Sequence, residues 1–174
     1  MGCIKETSII VILADGYVST YDMGTYEKVE TLTKTRGSTL FALTSGVERD
    51  IAGVPSVVSR LAVVLKRKLL LYLWKDSEFH DSNEITLPSQ PRSLTWAAEG
   101  KLCAGLSSSF AMVDVNTEVV EDIPMTGSGG GASGYLTWSS RSPLATRLGA
   151  DQLLLVRDCE YFREFQSNCE LTEL

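Results

Sequence analysis

The sequence predicts an all-β fold, a partial β-propeller of about four blades, each a four-stranded antiparallel sheet of the WD40-like kind. Three observations predict it. Short apolar, β-branched runs recur in pairs. Tight-turn or polar tips separate the members of each pair. The tips fall near Asp15, Arg67, Ser107 and Asp158, about 40–50 residues apart, which is the period of propeller blades. A single four-stranded sheet cannot bury both of its faces, so such a repeat implies blade packed on blade.

The first run is residues 8–13, Ser-Ile-Ile-Val-Ile-Leu. Ala14-Asp15-Gly16 follows, and Asp-Gly is a strong hairpin signal because both residues tolerate a left-handed backbone. Residues 17–22 return, with the aromatic, β-branched and Thr content that suits a pleated surface. Residues 26–32 add a third strand after a turn at Gly24 and Thr25, and 41–44 a fourth. Residues 60–65 and 69–74 flank the polar tip Lys66-Arg67-Lys68, and 84–87 close that unit before Pro88 and Pro91. The runs at 61–65 and 69–74 are continuously apolar, as in sheets covered on both faces. Periodicity leaves a helix over 60–74 open. Residues 92–97 and 101–106 flank Glu99-Gly100. After a tip at Ser107-Ser108 come 110–115 and 119–123, with Asn116-Thr117 in the turn. Residues 144–147, 152–156 and 161–165 repeat the plan around Gly149 and Asp158. Residues 48–56 and the Gly-rich 126–134 read as loops. The expected organisation is a partial propeller over 1–166 and an irregular tail over 167–174.

Composition narrows the function classes. Of the 174 residues 44% are hydrophobic and 22% charged, enough apolar content for a packed core. The net charge of -6 argues against nucleic acid as a partner, since phosphate binding needs a basic face. The four cysteines, Cys3, Cys103, Cys159 and Cys169, include no Cys-x-x-Cys pair, and His80 is the sole histidine. A zinc site and a disulfide framework are therefore not expected, and the thiols read as reduced in a cytosolic setting. No run reaches the roughly 18 apolar residues that span a bilayer. The start Met1-Gly2-Cys3 invites acylation, but Glu6 stands where a myristoylation signal wants Ser or Thr.

Several stretches carry a family resemblance: Leu13-Ala14-Asp15-Gly16-Tyr17-Val18-Ser19-Thr20-Tyr21-Asp22, Pro55-Ser56-Val57-Val58-Ser59-Arg60-Leu61-Ala62-Val63, Lys66-Arg67-Lys68-Leu69-Leu70-Leu71, Arg92-Ser93-Leu94-Thr95-Trp96, Val113-Asp114-Val115 and Pro143-Leu144-Ala145-Thr146-Arg147-Leu148. In this order they resemble the citron-homology (CNH) propeller of the vacuolar-morphogenesis subunit of the HOPS tethering complex, in its fungal form, over most of residues 9–158. The resemblance implies a protein-interaction module, not an enzyme, acting in vesicle docking, fusion and intracellular protein transport. It implies other tethering-complex subunits and a Rab-type small GTPase as partners, and a cytoplasmic protein peripheral on vacuole or late-endosome membrane. It implies no cofactor and no catalytic residue. A CNH scaffold of a signalling protein, of the TGF-β-receptor-associated or small-GTPase-regulator type, is the alternative. The family's ring is expected to hold about seven blades, and the helical repeats that follow it are absent here. The chain is therefore expected to be a shortened piece with open blade edges and poor solubility by itself.

Residues with possible chemistry are few. Lys66, Arg67 and Lys68 are the candidate membrane or partner contact, since basic residues near an anionic surface contribute about 1 kcal/mol each. A solvated tip that discourages edge pairing is the competing reading. His80 lies in a polar stretch with no nucleophile motif nearby and reads as a solvated loop residue. Asp76, Glu78, Asp81 and Glu84 match no cation-loop spacing and read as an acidic loop. The Gly-rich loop lacks the Gly-Lys-Ser/Thr that phosphate cradling requires. Trp74 and Trp96 read as core, and Trp138 is undecided.

Overall fold

The computed structural model describes residues 1–49, 55–98, 100–107, 109–123, 144–147, 152–157, 161–166 and 171–173. Among the described residues the elements are sixteen strands and two single-turn 3-10 helices, Lys5–Thr7 and Thr33–Thr35. The strands are β1 Gly2–Ile4, β2 Ile9–Ala14, β3 Tyr17–Asp22, β4 Lys28–Leu32, β5 Leu40–Arg49, β6 Pro55–Leu65, β7 Lys68–Lys75, β8 Glu78–Thr86, β9 Ser93–Ala98, β10 Lys101–Gly105, β11 Phe110–Asp114, β12 Val120–Ile123, β13 Leu144–Arg147, β14 Gln152–Arg157, β15 Tyr161–Gln166 and β16 Leu171–Glu173. They form four sheets of four strands, each pairing only sequence neighbours, antiparallel throughout. That is the meander of a propeller blade, and the fold class is the partial propeller read from the sequence.

The chain divides into two compact units, Met1–Pro91 and Arg92–Leu174, each with two sheets. In the first unit Ile4, Ile9, Val11, Val18 and Leu32 of one sheet pack with Leu61, Val63, Leu70, Tyr72 and Phe79 of the other. Ile9 and Val11 alternate with the less buried Ile10 and Ile12, because one face of β2 meets the neighbouring sheet. In β6, by contrast, Leu61, Ala62, Val63 and Val64 are all fully buried, so both faces are covered. This resolves the helix-or-strand ambiguity over 60–74. Arg60 to Leu65 pair in register with Lys68 to Leu73, and Lys66-Arg67 is the two-residue tip. In the second unit Phe110, Cys103, Ala97, Ile123 and Ala145 form the core. The Thr95 hydroxyl donates to the Ala145 carbonyl at 2.6 Å, tying β9 to β13.

Several boundaries differ from the sequence reading. β1 had no apolar signature; it forms because Gly2 to Ile4 complete the ladder on β2. Part of the expected loop at 48–56 is strand, with Arg49 paired to Pro55. β8 covers Glu78–Thr86, not merely 84–87. The stretch 167–174 contributes β16, which pairs with β15. The Gly-rich segment 126–134, Trp138, Gly149, Asp158, Cys159 and Cys169 lie outside the described residues.

The turns are specified locally. Asp15 and Gly16 both have positive φ, 51° and 74°, as a type I′ turn demands. The Gly16 carbonyl then accepts the Gly37 amide at 2.8 Å, holding the tip against the segment leading to the next sheet. Asp22 and Asp114 end the third strand of their respective blades in the same way. Asp22 Oδ1 accepts the amides of Gly24 and Thr25 at 2.8 and 2.7 Å. Asp114 Oδ1 accepts those of Asn116 and Thr117 at 2.9 and 3.0 Å.

Candidate functional site

The basic tip stands where the sequence placed it. Lys66, Arg67 and Lys68 are all exposed, and Lys66 has φ 57°. They are not three equal free cations. Lys68 pairs with Glu84 on β8. The Arg67 guanidinium donates to the Pro88 carbonyl at 3.4 Å, and its own carbonyl accepts the Leu87 amide at 2.8 Å. The charge left to a partner resides mostly on Lys66 and Arg67. The tip is thus a small cationic knob on a braced hairpin.

The acidic stretch is not a loop. Strand β8 carries it, with a two-residue tip at Asp76-Ser77 where both residues have positive φ. Phe79 and Ile85 point into the core while Glu78, His80 and Asp81 are exposed. The correction has a plain cause. β8 is the outer strand of its sheet, and an outer strand tolerates a polar face. His80 contacts the Lys75 carbonyl at 3.1 Å and the Glu78 carboxylate at 3.4 Å. Trp74 meets Phe79 edge-on at 4.9 Å, and Trp96 is 5% exposed. Both belong to packing, as read from the sequence.

A second feature escaped sequence reasoning. Between the outer strands β4 and β8 of the first unit lies a cleft of about 140 Å³, lined by Glu30, Thr31, Leu32, Thr33, Lys34, Tyr72, Phe79 and Asp81. Both walls are irregular. The β3–β4 register shifts between Thr20 and Tyr21, beside Glu30. The β7–β8 register shifts between Leu70 and Tyr72, beside Asp81. Such bulges re-aim side chains and concentrate at sheet edges and sites. Lys34 pairs with Asp81 across the cleft. Tyr72 is 3% exposed, and its hydroxyl stands near the Asp81 carboxylate without reaching a well-formed hydrogen bond to any described residue. Oε2 of Glu30 and the hydroxyl of Thr20, which lies directly across the ladder from Glu30, likewise have no hydrogen-bond partner among the described residues. Burial, and then the Asp81 carboxylate, push the Tyr72 phenol up to about 12. Each orphaned buried polar atom costs about 1–3 kcal/mol, so the two that line the cleft, with Thr20 across the ladder, mark a place where the fold is locally destabilised.

Among the described residues, no three His, Cys, Asp or Glu side chains come together as a metal site, and no helix is long and apolar enough to cross a membrane.

Four-stranded antiparallel meanders, two in each unit, define the class: a propeller-type domain. The particular family follows from comparison. Residues 1–162 match the CNH domain, and the chain belongs to that family. It is similar to the human Vam6/Vps39-like protein, 30% identical over 114 residues, which is 65% of this chain and 12% of the relative. It is also similar to the bovine transforming growth factor-beta receptor-associated protein 1, 26% identical over 151 residues, 85% of this chain and 16% of the relative. A GTPase-activating protein of Dictyostelium discoideum is 32% identical over 96 residues, 55% of this chain and 9% of the relative. The chain thus spans only about 12% of the length of the Vam6/Vps39-like relative.

Proposed function

We propose that this chain is a protein-interaction module of a membrane-tethering subunit, acting in vesicle docking and fusion at the vacuole or late endosome. The observation that carries the reading is the CNH match over 1–162 together with the similarity to a Vam6/Vps39-like protein. The mechanism is surface recognition. Other tethering subunits and a Rab-type small GTPase are the proposed partners. The exposed tip Lys66-Arg67-Lys68 is the proposed contact to anionic lipid or to an acidic partner face. The chain would then sit in the cytoplasm, peripheral on those membranes.

Affinity purification of the tagged chain from cells, with identification of the co-purifying proteins, tests this. Tethering subunits are the expected catch. Replacing Lys66, Arg67 and Lys68 by Ser is expected to reduce the share recovered with membranes. Recovery of receptor or kinase components in place of tethering subunits would overturn the reading. That outcome would favour a signalling scaffold, for which the coverage of the TGF-β-receptor-associated relative, 85% of this chain, is the supporting observation.

A further inference from the structure

The cleft between β4 and β8 has no counterpart in the reading above. Its chemistry is specific. Glu30 contributes a carboxylate oxygen without a partner, and Tyr72 a buried hydroxyl without one. Thr20, whose buried hydroxyl also lacks a partner, pairs with Glu30 across the ladder and does not itself line the cleft. Two carboxylates line the cleft against one cation, and that cation, Lys34, is already engaged by Asp81. Acceptors and negative charge therefore outnumber donors. The ring of Phe79, itself 5% exposed, forms part of the wall. At about 140 Å³ the space falls well short of a drug-sized pocket, about 300 Å³ or more. It suits a single side-chain head group.

We propose that this cleft receives an arginine side chain presented by a partner protein. A guanidinium carries five N–H donors in a fixed fork and accepts nothing. It can serve separated acceptors at once, which a compact ammonium does less well. Its face also sits favourably over an aromatic ring. Glu30 and Asp81 both line this space, each beside a register irregularity of its strand pair. Lys34 also lines the cleft, so an entering guanidinium competes with it for Asp81. The proposal rests on the interaction-module part of the proposed function and on no particular complex.

Titration of the 174-residue chain with N-acetyl-arginine-N-methylamide, followed by NMR, tests it without any partner. Saturable shifts of Thr20, Glu30 and Tyr72 resonances are expected. Glu30→Gln is expected to weaken binding by about tenfold or more. Lys34→Ala, at an exposed position outside the core, should tighten it by freeing Asp81. The citrulline analogue, equal in shape but neutral, should show no saturable binding. Three results overturn the assignment: no saturation up to about 50 mM, equal binding of citrulline, or affinity unchanged in both variants. In the first case the cleft holds water only. Absent arginine binding with tethering subunits still co-purifying discards the cleft alone. Arginine binding with no tethering subunits recovered discards the tethering reading alone.

Discussion

Asp22 and Asp114 show how much a single residue settles. Each carboxylate stands in for the missing acceptor of a turn and caps two amides. The amides of Thr25 and Gly24 hold the Asp22 carboxyl below its ordinary 3.8. Those of Thr117 and Asn116 act the same way on Asp114. A depressed carboxyl stabilises the fold above its unfolded-state pKa and loses that contribution as pH falls through the folded-state value. Replacing both by Asn keeps an acceptor but removes the titration. The drop in thermal midpoint between about pH 7 and pH 2 is expected to shrink. An unchanged drop would show that these turns do not carry the acid sensitivity. Residues of this kind were legible, because Asp followed after one residue by Gly-Thr or Asn-Thr, as in 22–25 and 114–117, is a turn signal. Tyr72 and Glu30 were not. They sit in sequence as an aromatic core residue and a strand-surface acid, and only packing makes them neighbours.

At the scale of the element, hairpin tips decide register. The β2–β3 tip needs two left-handed residues, and Gly16 also lies close under the next segment. A Cβ added there would meet the Gly37 amide nitrogen at 3.3 Å. Gly16→Ala is expected to cost about 1–2 kcal/mol, from φ strain and a displaced hydrogen bond. A urea midpoint shifted by less than experimental error would show that the tip adapts. The acidic stretch teaches the converse lesson. Its charges concealed a strand, yet the period-2 signal was present: Phe79, Asp81, Asn83 and Ile85 alternate with His80, Ser82 and Glu84, and both apolar members turn inward. What the sequence conceals is the pairing: the β7–β8 register shifts between Leu70 and Tyr72. A bulge depends on the partner strand, so neither strand announces it separately.

For the whole molecule, stability resides in cores built between sheets. Phe110 is fully buried in the second unit and packs in the same cluster as Cys103. Burial pushes the Cys103 thiol up to about 12, so it is protonated and inert at neutral pH. Cys3 is exposed. Alkylation mapped by peptide mass spectrometry should modify Cys3 quickly and Cys103 only upon opening. Phe110→Ala is expected to cost about 3–5 kcal/mol and to speed Cys103 labelling in proportion. Equal labelling of Cys3 and Cys103 in the unaltered chain would contradict the core assignment.

The sequence by itself determined the blade: paired apolar runs, Asp-Gly and Asx turns, and the repeat length are local and additive, so they survive without coordinates. It also placed the cationic tip, since a hairpin tip is defined by the strands on either side of it. Only the tertiary structure decided that Lys68 pairs with Glu84, that Glu78–Thr86 is a strand, and that the unpartnered Glu30 and Tyr72 oxygens line one cleft. The first two depend on strand pairing between β7 and β8 and the third on two sheets meeting, and no single segment encodes either.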